Sequence, residues 1–148
     1  MALRPYRKQW LIQGRVLGKT FVRSYNNAQG SGKVFGFNVV DFSNDTIHLS
    51  TFCDLEDSLH DLVQIGNLYM VSNGTVKPTN INYNHLDRKW EVSLSVTSTV
   101  EPSLDDVLTI PFHCLHFKSL NEIKSANLGS IVDIIGIAKS TSPTSTIR

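Results

Sequence analysis

Large apolar and polar residues alternate loosely from Trp10 to Leu17, the period-2 pattern of a strand that buries one face. Val34-Phe35-Gly36-Phe37-Asn38-Val39-Val40-Asp41 is β-branched and aromatic and predicts a second strand. Ser43-Asn44-Asp45 supplies a tight turn, and Thr46 to Cys53 predicts a third strand. Its alternation sets Ile47, Leu49 and Thr51 on one face and His48, Ser50 and Phe52 on the other. Asp54 then stands as a helix N-cap with Asp57 at N3. Leu55, Leu59, Leu62 and Val63 recur at helical spacing until Gly66 stops the segment. Leu68 to Val76 predicts a fourth strand and Trp90 to Val96 a fifth. Two polar, turn-rich connections, Gly18 to Gly32 and Pro78 to Asp87, read as loops long enough to carry function.

Three strands, a helix and two strands is the order of an OB fold. That fold is an all-β, five-stranded Greek-key barrel with a helix between strands 3 and 4, and its two long loops flank a ligand groove. Beyond the barrel, Ser119 and Glu122 fit a capping box for a helix from about Leu120 to Ala126. The isoleucine-rich stretch Leu128 to Ala138 predicts a further strand, and Ser140 to Arg148 a frayed tail. The expected division is a barrel over residues 1–118 followed by a C-terminal helix and strand over residues 119–148.

Composition narrows this picture. A chain of 148 residues that is 41% hydrophobic closes one real core and has too little length for a second independent one. Cys53 and Cys114 stand far apart with no CxxC partner, which excludes a thiolate zinc ribbon and argues against a disulfide framework. There is no long apolar run, and no apolar segment behind the N-terminal charges, so a soluble, non-secreted protein in a reducing compartment is expected, with no membrane partner. On that expectation the sequons at Asn44 and Asn73 are chance matches.

The net charge of +1 hides a strong asymmetry. Residues 1–40 hold seven Lys/Arg (Arg4, Arg7, Lys8, Arg15, Lys19, Arg23, Lys33) and no acid, whereas residues 41–66 hold six acids and no Lys or Arg. One basic end can still offer a positive stripe to phosphate, although a merely solvated surface has the same composition. A groove for unpaired nucleotides needs cations along the backbone and flat aromatic faces for the bases. The first loop carries Lys19, Arg23, Tyr25 and, at its exit, Lys33. The second carries Lys77 at its entrance, then Tyr83, His85, Arg88 and Lys89. Phe52, on the face opposite Ile47 and Leu49, is either a lone surface apolar residue or a stacking platform. Tyr83 in the facing loop favours the platform.

Other constellations read blandly. His113-Cys114-Leu115-His116 lacks a nominable fourth ligand, and its neighbours Phe112 and Phe117 look like packing residues, so no metal is expected. Asp105-Asp106 reads as a solvated loop. Gly30-Ser31-Gly32-Lys33 looks like a phosphate loop but lacks the earlier glycine and precedes a strand. No nucleophile–base pair stands out; no cofactor and no catalysis are expected.

Several motifs at fixed spacing carry a family resemblance. Pro5-Tyr6-x-x-x-Trp10, Arg15-Val16, Arg23-x-Tyr25, Gly30-x-Gly32-Lys33-x-Phe35, Thr51-Phe52 and Ser72-x-Gly74-Thr75-x-Lys77 resemble DNA-binding domain A of the replication protein A large subunit. Asn82-Tyr83-Asn84-His85-Leu86 and Trp90-Glu91 are similar to the plant versions, and Val132-Asp133-Ile134-Ile135-Gly136 resembles the join to a following OB domain. The resemblance covers nearly the whole chain. It implies single-stranded DNA as ligand, a nuclear role in replication, repair and recombination, and other subunits of the complex or repair proteins as partners. It also implies Phe52 and Tyr83 as base-stacking aromatics and Arg23 and Lys77 as contacts to backbone and base. Lys33 becomes a phosphate contact, Tyr25 an aromatic at the loop tip and Glu91 a polar groove residue.

The chain departs from that pattern where the family often has cations: Gln29, His48 and Asn73 stand there instead. Weaker, less salt-sensitive binding is therefore expected, with His48 restoring a charge below about pH 6.5. Two rival readings follow from the same residues. One is an OB module whose groove takes a peptide; the other is a telomere-specific relative selective for G-rich strands.

Overall fold

The computed structural model describes residues 9–27, 30–52, 55–80, 84, 86, 89–104, 110–115 and 117–141. The chain divides into two units, Met1–Cys114 and Leu115–Arg148.

In the first unit, β1 (Leu11–Lys19) pairs antiparallel with β3 (Gly30–Val40) and with β5 (Leu68–Ser72). The path continues antiparallel from β3 to β4 (Thr46–Thr51), parallel from β4 to β7 (Trp90–Leu94), and antiparallel from β7 to β6 (Thr75–Pro78). Only Asn73 and Gly74 separate β5 from β6, yet the two lie far apart along this order, β6-β7-β4-β3-β1-β5. A continuous stretch can reach both places only if the sheet curls back on itself, which is the closure of a small barrel. Asn73, at φ 60°, makes the break, so the single predicted strand Leu68–Val76 is two. A further strand, β8 (Thr99–Pro102), lies along β5 and was not expected from the sequence. The OB order holds with eight strands among the described residues in place of five: one predicted strand is split in two, and β8 and a strand within the first polar connection are added.

The alternation on β4 is realised. Ile47, Leu49 and Thr51 are buried, and Ile47 and Leu49 belong to one cluster with, among others, Trp10, Phe35, Phe37 and Val92. Each large apolar side chain so buried contributes roughly 1.5–3 kcal/mol. The first polar connection is a different matter. Instead of a loop from Gly18 to Gly32, β1 runs on to Lys19, and β2 (Arg23–Asn27) pairs residue for residue with the first half of β3, from Arg23 opposite Val34 to Asn27 opposite Gly30. The ribbon is held by backbone hydrogen bonds and buries little, so hydrophobic periodicity gives no sign of it.

The helix α1 spans Glu56–Leu62, with Leu55 as N-cap and no side-chain cap. The expected N-cap, Asp54, lies outside the described residues, and the helix begins one position later than predicted. At the other end Lys19 Nζ donates to the carbonyls of His60 (2.8 Å) and Val63 (2.7 Å), a cation on the exposed end of the helix ladder. Gly66, at φ 89°, turns the chain just beyond. Arg15 is also structural, buried at 4% exposure. Its Nε and Nη1 donate to the carbonyls of Ile110 (3.1 Å) and Gly66 (2.7 Å), and its guanidinium lies 3.9 Å from the Phe112 ring centroid.

The second unit contains α2 (Leu120–Lys124), opened by the predicted capping box. The Ser119 N–H donates to Glu122 Oε2 (2.8 Å), and the Glu122 N–H donates to Ser119 Oγ (3.4 Å). The predicted strand Leu128–Ala138 does not form. Phe117 and Asp133 make one isolated parallel bridge, and Ile131, Ile134, Ile135 and Ile137 are exposed. Apolar content alone does not make a strand without a partner ladder. No helix among the described residues is long and apolar enough to cross a membrane.

Candidate nucleic-acid interface

The outward face of β3, β4, β7 and β6 forms the floor of a groove of about 640 Å³, and β2 forms a wall. Register sets two rows across that floor. Asn38 lies opposite His48, and Glu91 opposite Lys77 on the neighbouring pair of strands. One step further along, Gly36 lies opposite Ser50, Ser50 beside Ser93, and Ser93 opposite Thr75.

Phe52 stands just past the end of β4 and is 47% exposed, on the face the alternation assigns to it. Tyr25 reaches it from the ribbon, the ring centroids 6.2 Å apart at 73°, edge to face. Tyr25 owes its position to Gly32 directly opposite on β3, where an added Cβ would sit 2.8 Å from the phenol oxygen. On Phe52 also lies the Lys77 ammonium, 4.8 Å from the ring centroid, within cation–π reach. Lys77 in turn pairs with Glu91 at 3.3 Å.

Glu91 is buried at 5% exposure and organises the second loop. Its Oε2 accepts from Asn84 Nδ2 (3.1 Å) and from the Asn80 backbone N–H (3.4 Å). His48 is partly buried beside it. Burial is the largest influence on the imidazole and pushes its pKa below 6.5; Glu91 pulls it upward, and Lys77 and Arg23 push it down again. The sequence-based expectation of protonation near pH 6.5 is thus corrected downward. Nδ1 of His48 donates to the Asn38 side-chain carbonyl at 2.7 Å.

Of the residues singled out by the sequence, Arg23, Tyr25, His48, Phe52, Lys77 and Glu91 line this one groove. Lys33 does not: it pairs with Asp57 of α1, outside the lining. Lys89 is exposed directly before β7 and is not among the lining residues either. Tyr83, His85 and Arg88 lie outside the described residues. Lys19 turns to the helix end and away from the groove. Sequence reasoning missed Thr20, Gly36 and Asn84 as lining residues. Thr20 is pinned there by its N–H on the Gly36 carbonyl (2.8 Å) and its Oγ1 accepting from the Gly36 N–H (3.1 Å), a pairing no local pattern signals. Among the described residues no cluster of His, Cys, Asp and Glu could hold a metal ion; His113 is exposed and His116 is not described.

No family model matches the chain. Curated proteins do, plant ones among them. One of the replication protein A 70 kDa DNA-binding subunits of Arabidopsis thaliana is 39% identical over 142 residues, covering 96% of this chain and 22% of that protein. Its counterpart in Oryza sativa is 40% identical over 147 residues, covering 99% and 22%. The chain therefore spans about a fifth of the length of these relatives. Among solved structures, a replication protein A heterotrimer bound to ssDNA superposes with a TM-score of 0.71 at 29% identity, over 94% of this chain and 32% of that one. DNA-binding domain A of replication protein A from S. cerevisiae superposes at 0.59 and 28% identity, over 71% of this chain and 91% of the domain. An OB domain from Thermoplasma acidophilum, 14% identical with a TM-score of 0.51, shares the fold alone. In sequence and in fold, then, the chain is similar to the segment of the replication protein A large subunit that contains DNA-binding domain A, and the OB fold is common to both.

Proposed function

We propose that this chain binds single-stranded DNA without catalysing a reaction on it, and that it does so in the nucleus, in replication, repair and recombination, alongside other replication protein A subunits or repair proteins. Bases stack on Phe52 and Tyr83. Arg23, Lys77 and, at the margins, Lys33, Arg88 and Lys89 follow the phosphates, while Tyr25 and Glu91 hold the platform and the second loop in place. The observation that carries this reading is the half-exposed Phe52 ring, set between Tyr25 and Lys77 in one open groove. An aromatic face beside a cation is what an unpaired nucleotide requires, and a packed core requires neither to be exposed.

Titration of fluorescent oligo-dT by anisotropy, against duplex and G-rich competitors, tests it. Tight binding to dT that duplex does not displace supports the reading, whereas preference for a G-rich repeat moves it to a telomere-type relative. No binding to any oligonucleotide leaves the peptide-binding module. The salt dependence is a further expectation. With Lys33 engaged by Asp57 and Lys77 by Glu91, the slope of log affinity against log salt is no steeper than about −3, from about 0.7 per phosphate neutralised on single strands. A slope near −5 or beyond contradicts this assignment of the cations.

His48 sets the pH profile. Since its folded-state pKa lies below 6.5, the ring is neutral and affinity for oligo-dT is flat from about pH 8 to 6.5; it changes only below, as Nε2 takes up a proton. The fold responds to the same proton. The unfolded chain takes the proton first, so stability is unaffected above the unfolded pKa and is lost as pH falls through the folded one. Anisotropy and thermal melts at several pH values, with His48→Gln as control, check both; the same change in the control would assign it to another group.

A further inference from the structure

The groove floor holds two polar groups that no contact among the described residues uses. The first is Nε2 of His48. A carbonyl oxygen can only accept, so the 2.7 Å contact to Asn38 puts the proton of the neutral ring on Nδ1 and leaves a lone pair on Nε2. Nε2 has no hydrogen-bond partner among the described residues. It lies over Gly36, where an added Cβ would come within 2.8 Å of it. The second is the Ser50 hydroxyl. Ser50 sits directly opposite Gly36, is 4% exposed, lines the groove, and its Oγ is buried with no hydrogen-bond partner. A buried hydroxyl left unpaired is unfavourable, and a ligand that reaches the floor relieves it. Two residues further along the same strand face stands Phe52.

We infer that His48 and Ser50 form a subsite for the free Watson–Crick edge of an unpaired base, the imidazole Nε2 accepting an N–H from the base and the Ser50 hydroxyl donating to the acceptor beside it. This rests on the single-strand reading above and deepens it. Every base carries such a pair on that edge: N3–H beside O4 in thymine, N4–H beside N3 in cytosine, N6–H beside N1 in adenine, N1–H beside O6 in guanine. One acceptor and one hydroxyl therefore suit all four and impose little sequence preference. In a duplex the same edge is consumed by pairing, so the subsite discriminates for single strands through contacts as well as through shape. Neither group is charged at neutral pH, so the contribution is insensitive to salt. An arginine at position 48, the residue the family resemblance led one to expect, has donors only and would have no use for the base N–H. Thymine methylated at N3, or guanine at N1, loses the donor and is rejected.

The test compares oligo-dT with the same oligonucleotide built from N3-methylthymidine, which stacks but has no N3–H. The wild-type protein binds the methylated strand at least about tenfold more weakly, the discrimination a good two-point base contact provides. In His48→Phe with Ser50→Ala the unmodified strand is bound more weakly and the difference between strands falls below about twofold. Gly36→Ala, whose methyl meets the His48 ring at 2.7 Å and the Leu49 carbonyl at 3.2 Å, displaces the ring, also narrows the difference and covers the case of a double variant that does not fold. Equal binding of both strands by the wild type overturns the inference, as does undiminished discrimination in the variants. If the wild type binds neither strand, the single-strand reading itself fails, which is a distinct outcome.

Discussion

Replacing Phe52 and Tyr83 together by alanine lowers the affinity for oligo-dT by a factor between about thirty and ten thousand while the barrel melts as before. Each base–aromatic stack contributes roughly 1–3 kcal/mol, and every 1.4 kcal/mol is about tenfold in affinity. Phe52 is half exposed, beyond the last residue of β4, and its ring contacts are Tyr25 at its edge and the Lys77 ammonium on its face. Phe52 is not among the residues of the buried core cluster, and surface changes of that kind alter stability by about 0.5 kcal/mol or less. Stability and affinity therefore separate at this position. Anisotropy titrations paired with thermal melts on the two single variants and the double variant give the comparison. Wild-type affinity in the double variant would exclude stacking as the source of binding and leave the groove to a different ligand.

Glu91→Leu has the larger effect on the fold. Its carboxylate is buried and serves three partners: Lys77, the Asn84 amide and the Asn80 N–H. Leucine removes this acceptor from all three. Removing one partner of a fully buried ion pair is destabilising by about 3–5 kcal/mol, but Lys77 keeps 33% of its side chain exposed and regains some hydration. The expected loss is about 2–3 kcal/mol, or roughly 10 °C in melting temperature for a unit of this size. Oligonucleotide affinity falls with it, because the ion pair holds Lys77 beside Phe52 and the amide contacts hold the second loop to β7. Glu91→Gln restores an acceptor for Asn84 and Asn80 without the ion pair and gives an intermediate melt. A leucine variant that melts with the wild type would mean that the carboxylate is already satisfied by solvent.

Much of this architecture is visible in local pattern. The alternation from Ile47 to Phe52 predicts which residues enter the core and which face outward, since successive side chains on a strand must point to opposite sides whatever the strand pairs with. The capping box at Ser119 and Glu122 is equally local: its bonds join residues three apart. Where the same reasoning fails, the cause is a long-range partner. Arg23 to Asn27 has no apolar face to display, and it is a strand only because the first half of β3 offers it a ladder. Leu128 to Ala138 has abundant β-branched residues and no ladder, and stays irregular.

Charge shows the same division at the site. Arg15, Lys19, Arg23, Lys33 and Lys77 are indistinguishable as positive letters in a basic stretch or loop. The fold sends Arg15 into the core region, Lys19 to a helix end and Lys33 to Asp57, and leaves Arg23 and Lys77 in the groove. Residue type and spacing along one strand were enough to establish an all-β barrel, an outward Phe52 and a His48 on the same face. Which cation covers that ring, which amide orients that imidazole and which hydroxyl is left unpaired depend on register between strands remote in the chain. Hydrogen-bond ladders and packing choose those neighbours together, and no local periodicity encodes them.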